Sequence, residues 1–183
     1  MTARVPLIER RSDLAPEHHG VFDAIAQSRG RIAGPFAVML HSPVVADRAG
    51  QLGAYIRFES TLSAADRELA VIAAAREMDC AYEWAYHAPL ARQAGVREEA
   101  ITVVRERGLL GRFTTAEAEI VDYVRQVLRR HQVDETLFAA LRTRLGVQGL
   151  VELTATVGYY TMLACTLNAF AVTPEPGTEP LPD

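Results

Sequence analysis

Cys80-Ala81-Tyr82-Glu83-Trp84-Ala85-Tyr86-His87 is the stretch on which the reading of this chain turns, with Glu68 twelve residues ahead of the cysteine. As a helix, the run places Cys80, Glu83 and His87 at i, i+3 and i+7 on one face, with Glu83 and His87 a single turn apart. The surrounding sequence is rich in alanine and apolar residues, so that face should seek the core. Polar groups gathered there need a reason, and catalysis is one.

Outward from this run the pattern stays helical. Residues 1 to 15 read as irregular chain, and Pro16 to about Arg29 as a first helix ending near Gly30. Ser42-Pro43 is a helix start, because proline at the first turn loses no hydrogen bond. Val44, Val45, Leu52, Tyr55 and Ile56 carry that helix to about Phe58. Ser63 caps a helix from Ala64 to Met78, and Asp79 is the expected N-cap of the helix bearing the motif, which stops before Gly95. A short helix spans Arg97 to Arg107. Thr114-Thr-Ala-Glu117 reads as a capping box. Asp134 opens a further helix closed by Gly146. The stretch from Gln148 to Val172 approaches membrane-spanning length, but Glu152, Thr154, Thr156 and Asn168 interrupt it, and a buried core helix is expected. No segment shows the two-residue period of a strand, so the fold class is all-α.

Bulk properties narrow the function classes. The 183 residues suit one main domain, and a net charge of −4 gives no footprint for nucleic acid or an anionic membrane. Arg105, Arg107, Arg129 and Arg130 are interleaved with acids and read as a solvated face. Two cysteines are too few for a disulfide scaffold. The N-terminus lacks an apolar signal segment, so the expected location is cytoplasmic. The domain plan is an irregular segment and first helix over 1–30, a helical domain over 31–172, and a Pro-rich, disordered tail over 173–183.

Arg67-Glu68-Leu69-Ala70, the Tyr82-Glu83-Trp84-x-x-His87 run and Ala91-Arg-Gln-Ala-Gly95-Val-Arg-Glu-Glu together resemble the carboxymuconolactone decarboxylase family, within the alkylhydroperoxidase D-like superfamily. Leu40-His41-Ser42-Pro43 and Leu150-Val-Glu-Leu-Thr-Ala-Thr-Val-Gly158-Tyr-Tyr resemble its longer members. The resemblance covers about residues 30 to 172. It implies a helical fold assembling as trimers or hexamers, with a small-molecule substrate. It also implies that the peroxidase branch would carry Cys-x-x-Cys where this chain has Cys80-x-x-Glu83. Glu68, Cys80 and His87 keep their places, and the peroxide-attacking thiol does not.

The expected catalytic set is therefore Glu68, Glu83, His87 and Cys80, with Tyr82, Trp84, His41 and Tyr160 lining the pocket. Two carboxyls in unequal surroundings can divide into an acid and a base around the imidazole. That arrangement suits lactone decarboxylation, isomerisation or hydrolysis with no cofactor and no metal. Two other readings stand beside it: a thiol peroxidase using Cys80, and an oligomeric binder without turnover. Each residue also has a plainer explanation. Pro89 leaves the Ala85 carbonyl without its helix partner, and His87 could simply bond it. Glu83 could only neutralise a helix N-terminus, and Cys80 could be packing. Arg57, Arg76 and Arg92 are equal candidates for a substrate carboxylate.

Overall fold

Local punctuation sets most of the helix boundaries, and every regular element among residues 2–182, which the computed structural model describes, is helical. The α-helices are α1 (His19–Arg29), α2 (Pro35–Met39), α3 (Pro43–Phe58), α4 (Ala64–Glu77), α5 (Ala81–Gln93), α6 (Glu98–Arg105), α7 (Thr115–Arg130) and α8 (Glu135–Ala169). Ser63 Oγ accepts from the Asp66 N–H at 3.0 Å, and Asp134 Oδ1 from the Leu137 N–H at 2.9 Å. Thr114 and Glu117 form the reciprocal box expected of them. Ser42 precedes the proline of α3 but its hydroxyl caps nothing.

Asp79 does not cap α5. It adopts φ +47°, and Cys80 takes the N-cap position. The Asp79 carboxylate instead accepts from Arg76 Nη1 and Arg107 Nη2, each at 2.7 Å. Two charge-assisted bonds outcompete a single neutral backbone donor.

Helix α4 is the axle of the fold, packing against α5, α6, α7 and α8. Every residue from Glu68 to Arg76 is buried, which accounts for the absence of a clean amphipathic stripe. Four alanines in that stretch let neighbouring helices approach closely. Glu68 is thereby carried into the interior.

Gly146, at φ +71° and ψ 175°, breaks α8 where the sequence places a stop, although the helix resumes at once and runs to Ala169. By length and composition the most apolar part of α8 could cross a membrane, yet 56% of it is buried inside the protein. Leu153, Val157, Leu163, Ala164 and Leu167 supply that buried face. Glu152, legible in the sequence only as an interruption, fastens α8 to the end of α3. Its carboxylate accepts from the Tyr55 hydroxyl, the Thr61 N–H and the Thr61 hydroxyl, each at 2.7 Å, and from Gln148 Nε2 at 2.9 Å.

Residues before α2 share the main core, since Ile8, Phe22 and Ile25 are buried among its side chains. The Pro-rich end, expected to be disordered, has no helix or strand through residue 182. It lies on the body through Glu175 to Arg31 at 2.6 Å and Glu179 to Arg92 at 2.7 Å. Asp183 lies outside the described residues.

Candidate functional site

Helices α4 and α5 lie side by side and set Glu68 opposite His87. His87 Nδ1 is 2.8 Å from Glu68 Oε2, and His87 Nε2 is 3.4 Å from Glu83 Oε2. All three residues are buried, at 5% exposure or less. Arg67 Nε lies 3.5 Å from the second Glu68 oxygen. Helix α5 continues through Pro89, and the imidazole turns to Glu68 rather than to the Ala85 carbonyl.

The two carboxyls titrate in opposite directions. Burial pushes Glu83 upward, and the attraction of His87 and Arg57 does not offset it. Burial also opposes ionisation of Glu68, but there the His87 hydrogen bond, with the charges of His87, Arg67 and Arg57, wins and holds the group below its ordinary value. An ionised Glu68 only accepts, so His87 Nδ1 carries the hydrogen. Nε2 points the other way, toward a Glu83 biased toward its protonated form.

Glu83 and His87 open onto a cleft of about 90 Å³, with Tyr82 and Tyr86 of α5, Tyr159, Tyr160 and Leu163 of α8, Phe36 of α2 and Arg57 of α3 among its walls. Glu68 is not on the wall and sits behind His87. The Tyr160 ring meets the imidazole edge to face at 4.9 Å between centroids. Burial, reinforced by Glu83 and Glu68, holds its hydroxyl well above the usual phenol range, so it stays neutral. Glycine at position 34 is required twice over: its φ is +57°, and a Cβ would fall 2.6 Å from the Tyr82 ring. Gly53 likewise yields to the Tyr159 hydroxyl, which would lie 2.1 Å from a Cβ there.

The structure thus brings together Glu68, Glu83, His87, Tyr82 and Tyr160, and leaves out three residues expected with them. Cys80 is fully buried in a side cluster with Ala164 and Leu167, away from the cleft. Burial pushes its thiol up to about 12. Trp84, one residue after Glu83, turns wholly into the core. His41 stands on the outside, its Nε2 2.8 Å from the Pro6 carbonyl oxygen. Of the three candidate arginines, Arg76 pairs with Asp79, Arg92 pairs with Glu98 and Glu179, and Arg57 borders the cleft. Tyr86 and Tyr159 went unread in the sequence, although each adjoins a residue singled out there. Both imidazole nitrogens face carboxylates, and among the described residues no group of three His, Cys, Asp or Glu is placed to hold a metal ion.

The all-helical body that carries this buried glutamate–histidine pair has the fold of alkylhydroperoxidase D-like proteins. Residues 43–126 match the model of the carboxymuconolactone decarboxylase family. No curated protein matches it in sequence. The solved structure of an alkylhydroperoxidase AhpD core, an uncharacterized peroxidase-related protein from Ralstonia eutropha JMP134, is similar at TM-score 0.76. It is 16% identical, with 95% of this chain and 93% of that one covered. A peroxidase-related protein from Silicibacter sp. TM1040 follows at TM-score 0.72 and 14% identity, covering 96% and 95%. The debrominase Bmp8 is similar at TM-score 0.66 and 18% identity, covering 94% and 92%. Likeness at these identities establishes the shared fold.

Proposed function

We propose that this protein is a cofactor-independent acid–base enzyme acting on a small carboxylated or lactone-type metabolite through Glu68, His87 and Glu83. The observation that carries the reading is the single imidazole held between two buried carboxyls that titrate apart. His87 Nε2 accepts a proton from the substrate or from an attacking water. Glu68 steadies the resulting imidazolium through Nδ1–H and keeps the ring in one tautomer. Glu83, whose burial favours the protonated form, delivers its proton to the oxygen or carbon where negative charge develops. In a decarboxylation, the bond to the carboxylate carbon breaks, carbon dioxide leaves, and the electron pair remains as an enolate that Glu83 protonates.

The solved structures of the same fold include peroxidase-related proteins and a debrominase, so thiol chemistry is the competing reading. It needs an accessible, ionisable cysteine. Cys80 is buried with its thiol pushed up to about 12, and Glu83 stands where the peroxidase branch places its second cysteine. These facts favour acid–base chemistry.

A panel of lactones and β-keto acids tests the proposal, with carbon dioxide release or lactone loss as the readout. Turnover by the native protein should fall by about 10²–10⁴-fold in His87→Ala. Turnover that survives in the Glu68→Gln, His87→Ala double variant overturns it.

A further inference from the structure

Three arginines border the cleft, and their commitments separate them. Arg31 is engaged by Glu175 of the C-terminal tail at 2.6 Å. Arg29 donates to Ser28 Oγ at 2.7 Å and to the Gly50 carbonyl at 3.3 Å, and its guanidinium lies 4.2 Å over the Phe36 ring. Arg57 makes no hydrogen bond or ion pair with any described residue, and its guanidinium rests only over its neighbour Phe58 at 5.3 Å. It is half-buried, on the last turn of α3, facing the cleft beside His87 and Glu83.

A guanidinium drawn partly out of water without a partner is costly, and chains generally supply one. Here the chain does not, although two carboxyls are close enough for Arg57 to influence both. Glu68 is already taken by His87, and Glu83 is nowhere within ion-pair distance of Arg57. The remaining partner is an anion that enters from solvent.

We propose that Arg57 is the anchor for a carboxylate of the ligand, held by two parallel N–H···O bonds in the cleft. The proposal rests on the acid–base reading for one point, that the reacting carbon then lies toward His87 and Glu83. Arginine matches a planar carboxylate better than lysine because its donors form a fixed fork. The walls add a second constraint. Tyr82, Tyr86 and Tyr159 line a cleft of about 90 Å³, and an aromatic lining suits a flat, unsaturated or cyclic body over an extended aliphatic one. The ligand class is thus a small planar carboxylate, in preference to a neutral lactone.

Calorimetric titration with benzoate and its neutral isostere benzamide tests the assignment without requiring turnover. Benzoate should bind the native protein at least tenfold more tightly than benzamide. Arg57→Gln should erase that preference, Arg57→Lys should restore part of it, and Arg31→Gln should leave it in place. Benzoate binding should also persist in His87→Ala, so the anchor and the acid–base reading fail separately. Equal affinity of the native protein for the two probes overturns the proposal. So does a preference that survives in a folded Arg57→Gln variant.

Discussion

Glu68 and Glu83 face opposite nitrogens of one imidazole, Glu68 Oε2 at 2.8 Å from Nδ1 of His87 and Glu83 Oε2 at 3.4 Å from Nε2. The shorter contact is an oriented, charge-assisted hydrogen bond. The longer one leaves Nε2 available to a molecule in the cleft. Position in the fold divides the labour: Glu68 stands behind the ring on α4, and Glu83 stands beside it on the wall of the cleft.

On the proposed acid–base reading Glu68 is a positioning residue, and Glu68→Gln separates that role from substrate binding. An amide can turn its NH₂ toward Nδ1 and release the ring into the other tautomer, and it carries no charge to offset an imidazolium. We expect kcat to fall by about 10²-fold or more with KM little changed. Steady-state kinetics on the substrate that emerges from the lactone and β-keto acid panel checks this. A rise in KM at constant kcat would assign Glu68 to binding instead.

Glu83 should reveal itself in the dependence of both rate and stability on pH. Its folded-state value is raised, so its contribution to stability is full below the ordinary value of 4.5 and is lost as pH rises toward the folded one. Glu83→Gln cannot ionise and should melt higher than the native protein, by a margin that grows from pH 5 to pH 8. The same substitution should remove the alkaline limb of the rate profile, because that limb reports loss of the proton-donating form. A thermal shift series at several pH values measures the first effect. A melting difference that is flat across the series would show that Glu83 is already ionised at pH 5.

How much of this was open to sequence reading depends on the distance over which each feature is decided. Ser63, Thr114, Asp134 and Gly30 set helix ends through contacts within four residues, and a linear pattern carries such information. Asp79 departs from the pattern because Arg107, twenty-eight residues away, takes its carboxylate. Helical spacing puts Glu83 and His87 together, and family resemblance adds Glu68. Spacing does not say how α5 is rotated about its own axis against α4 and α8, and that rotation sends Trp84 and Cys80 inward and Tyr86 to the cleft. Arg57, Arg76 and Arg92 look alike in sequence because what distinguishes them is whether each finds a carboxylate partner in the folded chain. Glu152 hides for the same reason, since its donors Tyr55 and Thr61 lie more than ninety residues upstream.

The two cysteines should behave as opposites. Cys165 is exposed and Cys80 is fully buried with its thiol pushed up to about 12. Thiolate, not thiol, is the reactive form. Iodoacetamide at neutral pH should therefore label one site per native chain, at Cys165, and two after denaturation. One equivalent of an alkyl hydroperoxide should leave Cys80 unmodified by intact mass. Rapid oxidation that disappears in Cys80→Ser would move the protein to the thiol-peroxidase reading.

Glu152 offers a test of the fold that does not touch the cleft. Burial alone would raise its pKa, but bonds from Tyr55, Thr61 and Gln148 outweigh that and bring it to about 2. The sign follows: its contribution is full above the ordinary value of 4.5 and disappears as pH falls toward 2. Hydrogen bonds to a charged group contribute about 1.5–3 kcal/mol each, and four sharing one carboxylate are far from additive. Glu152→Ala should then cost about 3 kcal/mol in all, because it also leaves the Thr61 N–H without its acceptor. For a chain of this size that is roughly a 6–12 °C fall in Tm at pH 7. The gap between variant and native protein should narrow as the pH is lowered from 5 to 2, since the unfolded chain's carboxyl takes up a proton below 4.5 while folded Glu152 stays ionised until about 2. A gap that stays constant down to pH 2 would mean that packing of the side chain, and not its carboxylate, joins α8 to α3.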